Sequence, residues 1–221
     1  MKLSKRRLAP RDNPLDSSCS LRDFDQGFDL PVCGMDEVGR GPLAGPVVAA
    51  CVFIPPENLT DPIWNHVNDS KKLSSTAREK LDPDIRALCF FEIIDISPAE
   101  IDRINIHQAS LEAMRRAYHN IADRLPPHHA LVDGKFTPAL PCPAQAVVKG
   151  DMRSLAIAAA SILAKVHRDR LMTRLHDVFP VYDWDKNAGY GTPAHLRAIK
   201  THGLTPHHRL SFAPCAEALS L

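Results

Sequence analysis

The residues best suited to chemistry in this sequence are four carboxylates: Asp36, Glu37, Asp133 and Asp151. Asp36 and Glu37 are neighbours inside an apolar stretch. Asp133 closes a second apolar stretch just before Gly134, and Asp151 follows Gly150 at the end of a third. Taken singly, each reads most simply as an exposed loop acid. Taken together they mark three strand ends, each decorated with acid and glycine. Adjacent residues on a strand point to opposite faces, so an ordinary strand would bury one of Asp36 and Glu37. Burying an unpaired carboxylate is expensive. Either a bend brings both acids to one place, or a cation and partners offset the desolvation. Four clustered carboxylates do not all stay ionised without cations. An oxygen-only donor set of this kind suits Mg2+ or Mn2+ rather than zinc. Two such ions can activate a water and stabilise the leaving oxygen of a phosphodiester.

Other residues could serve a substrate. Gly39 and Gly41 flank Arg40. They are either plain turn formers or places where the backbone comes close to a sugar or phosphate. Lys71 and Lys72 are either a solvated pair before a helix or contacts to backbone phosphates. Tyr190, between Gly189 and Gly191, is either a partly buried anchor or a ring that stacks on a sugar or base. The glycines at 39, 41 and 45 do not make a dinucleotide fingerprint. Pro42 and Pro46 intervene, and an apolar strand follows where that fingerprint needs a helix. No Walker loop, HExxH or GxSxG occurs. The eleven histidines show no metal-ligand spacing, and His128-His129 and His207-His208 read as surface or cap positions.

The elements that must position these residues follow from periodicity and punctuation. Strands are expected at residues 32–38, 47–54, 88–96, 130–132 and 146–148. A helix of about two turns should begin near Thr76, capped with Glu79, and stop before Pro83. Ser97-Pro98-Ala99-Glu100 is a strong helix start, and apolar residues at helical spacing continue it to Leu125. A long helix follows Asp151, with Leu155, Ala159, Ile162 and Val166 on one face. Its run Ala158-Ala159-Ala160-Ser161 would let it lie close to a sheet. Thr192-Pro193 and Thr205-Pro206 read as caps of two shorter helices. Early strands followed by alternating strands and helices imply an α/β or α+β layer, a central mixed sheet with helices on its faces. Residues 1–30 show no usable periodicity and are expected to be a disordered basic and polar extension, with residues 31–221 as the catalytic domain.

Composition is that of a soluble globular protein: 221 residues, 44% hydrophobic and 24% charged, with formal net charge +1. Lys2, Lys5, Arg6, Arg7 and Arg11 crowd the start without an acid among the first eleven residues, yet basic termini are common without a binding role. No apolar run approaches the ~20 residues of a membrane helix, and no secretory signal is legible. The six cysteines are scattered and read as reduced thiols. A cytoplasmic protein is expected.

The ordered motifs resemble a known family. They are residues 34–42 (GMDEVGRGP), 69–74 (DSKKLS), 132–134 (VDG), 148–151 (VKGD) and 157–166 (IAAASILAKV) with Arg168-Asp169. Gly189-Tyr190-Gly191-Thr192 follows, then His208-Arg209 with Ser211-Phe212. Together they resemble ribonuclease HII over roughly residues 32–214. The resemblance implies an RNase H-like mixed central β-sheet flanked by helices, with a helical C-terminal extension. It implies Mn2+ or Mg2+ at Asp36, Glu37, Asp133 and Asp151. It implies an endonuclease that cuts the RNA strand of RNA–DNA hybrids and nicks 5′ of single ribonucleotides in duplex DNA, leaving 5′-phosphate and 3′-hydroxyl ends. In the family the loop matching Gly39-Arg40-Gly41 contacts the 2′-hydroxyl region, and the tyrosine matching Tyr190 stacks on the neighbouring sugar. Arg40 favours this family over the related ribonuclease HIII. Ala188 departs from the lysine many relatives carry there. The expected partners are RNA–DNA hybrid duplex and ribonucleotide-containing DNA, with no membrane and a monomeric state. Residues 216–221 carry no clear clamp-binding motif. Two rival readings remain at this point: a non-catalytic nucleic-acid-binding module, and a magnesium-dependent phosphohydrolase of small molecules.

Overall fold

The computed structural model describes residues 20–28, 31–68, 70 and 72–219. Its centre is a five-stranded mixed sheet of order β3-β2-β1-β4-β5. The strands are β1 (Val32–Val38), β2 (Val47–Phe53), β3 (Phe90–Ile96), β4 (His129–Asp133) and β5 (Ala144–Val147). β1 pairs antiparallel with β2, and β2 with β3, whereas β4 runs parallel to both β1 and β5. β2 is buried along its whole length, as its unbroken apolar run requires.

Helices cover both faces. On one, α3 (Pro98–Ile104) and α4 (Ile106–Ala122) pack over Cys33, Met35, Val47, Ala49, Cys51, Ala130 and Val132. On the other, α2 (Ser75–Leu88) and α5 (Leu155–Val178) pack over Val48, Ala50 and Val52. The alanine run of α5 does what its small side chains allow. A Cβ on Gly34 of β1 would stand 2.2 Å from the Ala156 carbonyl carbon, so helix and strand backbones touch. The C-terminal part adds α6 (Trp184–Asn187), α7 (Pro193–His202) and α8 (Ala213–Leu219). They enclose a smaller core of Leu43, Met172, Tyr182, Trp184, Ile199 and Cys215. The five described cysteines are all free thiols. Among the described residues no helix is long and apolar enough to cross a membrane.

Four expectations need correction. α2 runs through Pro83 rather than ending before it. The lost backbone bond is outweighed by burial of Leu81 and Ile85 and by Asp82, which pairs with Arg86 at 2.8 Å and Arg170 at 2.8 Å. The helix expected from Ser97 to Leu125 is two helices. Asn105, at φ 66°, breaks it and caps α4 by accepting from the Gln108 N–H. Thr205-Pro206 does not cap a helix; it lies in a turn, and α8 starts only at Ala213. Finally, the end of the supposed extension is folded. Ser20 forms a capping box with Asp23 and opens α1 (Leu21–Asp25). The basic residues 2–11 lie outside the described residues.

Candidate active site

β1 and β4 are parallel, and Met35 pairs with Val132. Asp36 and Asp133, one position further on, therefore stand side by side where the strands finish. β5 ends opposite Asp133 at Val147. The chain then turns through Lys149, at φ 56°, into a 3-10 turn at Gly150–Met152 that carries Asp151. The Gly150 N–H donates to Asp133 Oδ1 at 2.6 Å, tying the two acidic strand ends together. A side chain there would crowd the site: a Cβ would meet Ile157 Cδ1 at 2.6 Å and Asp133 Oδ1 at 3.2 Å, so both would have to give. Asp36 and Asp151 are buried.

The electrostatics of this corner are unfavourable for the protein alone. Burial raises Asp36 well above the usual carboxylate range; the charges of Glu37 and Asp133, and less strongly Asp151, push it further. One opposing contact is the Glu37 N–H, which donates to Asp36 Oδ1 at 2.7 Å. Glu37 is also raised, chiefly by burial and also by Asp133, while Arg40 opposes the rise through a 3.0 Å bond to Oε1. The Arg40 side chain is 47% exposed, so water screens much of that pairing. A buried carboxylate with three others acting on it calls for cations, and the all-oxygen donor set fits a hard divalent ion. Elsewhere, His176, Asp183 and Asp185 place ligand atoms within 4.8 Å of one another. Its members have other neighbours: His176 Nδ1 lies 3.1 Å from Asp185 Oδ1, and Asp183 pairs with Lys186 at 3.1 Å.

Beside the carboxylates lies the loop of residues 39–46. Tyr190 approaches it closely, since a Cβ on Gly41 would be 3.3 Å from the Tyr190 ring. The ring itself is 50% exposed, free to meet a ligand. Leu43 and Ala44 N–H both donate to the Gly189 carbonyl, which locks the tyrosine loop to the glycine loop. Two buried arginines hold the pair from behind. Arg168 donates to the carbonyls of Pro46, Ala188 and Ala44 at 3.1, 3.0 and 3.2 Å. Arg209 donates to those of Gly45, Arg40 and Gly39 at 3.0, 2.9 and 2.5 Å. Burial lowers Arg168 to about 10; burial, and then the charge of Arg168, lower Arg209 to about 9.

A pair of buried histidines completes the support. His195 Nδ1 lies 2.9 Å from the Tyr190 carbonyl and is the donor, because that oxygen can only accept. Its Nε2 then accepts from the Trp184 indole N–H at 3.1 Å and faces His208 Nε2 at 3.2 Å. His208 Nδ1 accepts from the Thr205 N–H at 2.9 Å. These roles fix both rings as neutral. The same burial lowers both, His208 to about 4 with the repulsion of His195 adding to it.

Thus the structure brings together Asp36, Glu37, Asp133 and Asp151, and sets Gly39, Arg40, Gly41 and Tyr190 beside them. Lys72 is exposed on the loop before α2. That loop is pinned by Arg78, which donates to the Ser70 and Leu73 carbonyls, and by the contact of Ser70 Oγ with Ser161 Oγ. Lys71 lies outside the described residues. His208 was expected at the surface or in a cap but is 1% exposed. Sequence reasoning assigned no role to Arg168, Arg209, His195 or His208. The signal for Arg168, His208 and Arg209 is membership of the ordered motifs at 168–169 and 208–209; His195 lies in none of them.

Solved structures share this fold. The chain superposes on the ribonuclease HII of Archaeoglobus fulgidus, solved in complex with PCNA, with TM-score 0.68 and 29% identity, covering 85% of this chain and 96% of that one. It superposes on ribonuclease H2 of Pyrococcus horikoshii with TM-score 0.69 and 25% identity, covering 86% and 97%. The fold and the acidic strand ends define a ribonuclease of the RNase H class. A relative described as ribonuclease HII, from Paramagnetospirillum magneticum, is 53% identical over 186 residues, 84% of this chain and 92% of the relative. The family model for ribonuclease HII matches residues 33–215. The chain belongs to the ribonuclease HII family and is a ribonuclease H endonuclease acting on RNA–DNA hybrids.

Proposed function

We propose that the protein hydrolyses the RNA strand of RNA–DNA hybrids and nicks 5′ of single ribonucleotides embedded in duplex DNA, leaving 5′-phosphate and 3′-hydroxyl ends. The observation that carries this reading is the burial of Asp36 among Glu37, Asp133 and Asp151, next to an exposed tyrosine and a glycine loop. Asp36 and Asp133 would be the central ligands of two Mn2+ or Mg2+ ions, with Glu37 and Asp151 completing the two sites. When bound, such ions supply an activated water and stabilise the departing oxygen. The chain's own contribution is to hold four oxygen donors in fixed register at the strand ends. The Gly150 N–H orients Asp133, and the Glu37 N–H orients Asp36.

Recognition rests on the neighbouring loops. Gly41 would present bare backbone to a ribose beside the Tyr190 ring, while Gly39 leaves room for the buried Arg168 behind the loop; a 2′-hydroxyl distinguishes RNA from DNA. Tyr190 would stack on the adjacent sugar. Lys72 and Lys71 would hold phosphates outside the cut, so binding weakens as salt rises. In this reading the catalytic domain takes in α1 together with residues 31–221. The protein acts as a cytoplasmic monomer in ribonucleotide and primer removal.

The test incubates a duplex bearing one ribonucleotide with Mn2+, Mg2+ or chelator and maps the cut. Metal-dependent nicking on the 5′ side is expected. Hydrolysis of free nucleotides without duplex cutting would favour the small-molecule phosphohydrolase, and binding without a product would favour the non-catalytic module. Tyr190→Ala should slow nicking at the single ribonucleotide by about tenfold, in line with a stacking contribution of about 1–3 kcal/mol. Its melting temperature should hardly move, since the ring is half exposed. An unchanged rate would remove Tyr190 from the site.

A further inference from the structure

α1 lies before residue 33, where the family match begins. Yet it reaches the chain segment that carries Asp151. Asp25, 6% exposed, accepts from the Ala156 N–H through Oδ2 at 2.8 Å. Its other oxygen, Oδ1, is buried without a hydrogen-bond partner, and the nearby Ser154 side chain and Leu155 N–H only partly offset the cost of that burial. Ser154 Oγ in turn accepts from the Ile157 N–H at 3.2 Å. The first turn of α5 has amides with no partner inside the helix. Asp25 and Ser154 between them satisfy two of them, those of Ala156 and Ile157. A carboxylate there also lies at the positive end of the helix dipole.

The same turn fixes the site. Ser154 N–H and Arg153 N–H both donate to the Gly150 carbonyl, at 2.8 and 2.9 Å, folding the Gly150–Met152 turn back on α5. Ile157 fills the space above Gly150, and Ala156 lies on Gly34, two residues before Asp36. α1 is seated by more than one contact. The Arg153 guanidinium lies 4.9 Å from the Phe24 ring centre, and Phe28 meets the His129 ring at 5.0 Å. Phe24 and Phe28 also pack against Val32, Leu131, Val147 and Ile157.

We propose that Asp25 is a positioning residue for the acidic centre: through the first turn of α5 it holds Asp151 at the distance from Asp36 and Asp133 that cation binding needs. This rests on the reading of those carboxylates as ligands. Ligand-orienting contacts of this kind are typically worth 10–100-fold in metal affinity.

Calorimetric titration of Mn2+ into the full-length protein, without nucleic acid, tests it. The measurement is made at pH 8, because burial pushes Asp25 up to about 7 and the carboxylate must be ionised. Asp25→Ala should raise the Mn2+ dissociation constant about tenfold, measured well below its melting temperature. Asp25→Asn keeps the shape and one acceptor and should fall between. It also decides the matter if the alanine variant does not fold. A lowered melting temperature with wild-type Mn2+ affinity would make Asp25 a merely structural clamp and overturn the proposal, as would no change in either quantity. Absence of Mn2+ binding by the unaltered protein would instead overturn the ligand reading itself.

Discussion

Asp36→Asn should reduce cleavage of a ribonucleotide-bearing duplex by about a thousandfold or more, some 4 kcal/mol of barrier. It should also make the metal-free protein melt higher. The two effects have one cause. Asp36 is buried, and Glu37, Asp133 and Asp151 all act against its charge. Asparagine removes the charge and keeps the shape, and its side-chain oxygen can still accept from the Glu37 N–H. Folding no longer has to bury one carboxylate among three others. For a chain of this size each kcal/mol so recovered raises the melting temperature by about 2–4 °C. Adding Mn2+ should shrink the difference, since a bound cation relieves the same repulsion in the unaltered protein. Near-normal turnover in the variant would defeat the proposed centre. A lower melting temperature without metal would defeat the electrostatic account while leaving the ligand assignment standing.

The acidic strand ends were legible because they break a pattern. An acid pair interrupting an apolar strand at Asp36-Glu37 calls for an explanation, and so do acids beside glycine at Asp133 and Asp151. The central strands β1 and β2 were legible for the complementary reason, that apolar runs bounded by Gly and Pro leave few alternatives. What was not legible depends on contacts between distant residues. α1 has five residues, too few to show a period, and Asp25 is 131 residues from its partner Ala156. The break at Asn105 is invisible because helical apolar spacing continues across it. Pro83 was read as a stop because local rules say so, whereas ion pairing of Asp82 across to α5 keeps that helix going. His207-His208 looks like a polar surface pair. Only the fold reveals that Tyr182 and Trp184 close around His208, with ring centres 4.9 and 5.4 Å away.

Arg209→Lys should be nearly as damaging to function as the loss of a carboxylate, though it keeps the charge and touches no proposed ligand. Arg209 is fully buried and splits its guanidinium among the carbonyls of Gly39, Arg40 and Gly45, with its plane near the Phe212 ring. An ammonium is a point donor on a flexible stem and cannot reproduce that planar fork. At least one loop carbonyl is then left buried without a partner, at about 1–3 kcal/mol each. Burial and the nearby Arg168 already disfavour a charge here. A lysine could therefore shed its proton and lose still more of its donor capacity. With one or two carbonyls so left, a destabilisation of about 2–4 kcal/mol follows, readable as a melting temperature lower by roughly 10 °C. Below that temperature the folded variant still has all four acids, so its Mn2+ affinity should be near normal. What it loses is the placement of Gly39-Arg40-Gly41 against Tyr190. A displacement of about 1 Å in a positioning element can cost about a hundredfold in rate. The fall in kcat/KM should therefore be of that order on a duplex with a single ribonucleotide. Unaltered kcat/KM in a variant that melts early would mean that the arginine only supports the fold. Weakened Mn2+ binding would mean that the loop and the carboxylates are not separable parts of the site.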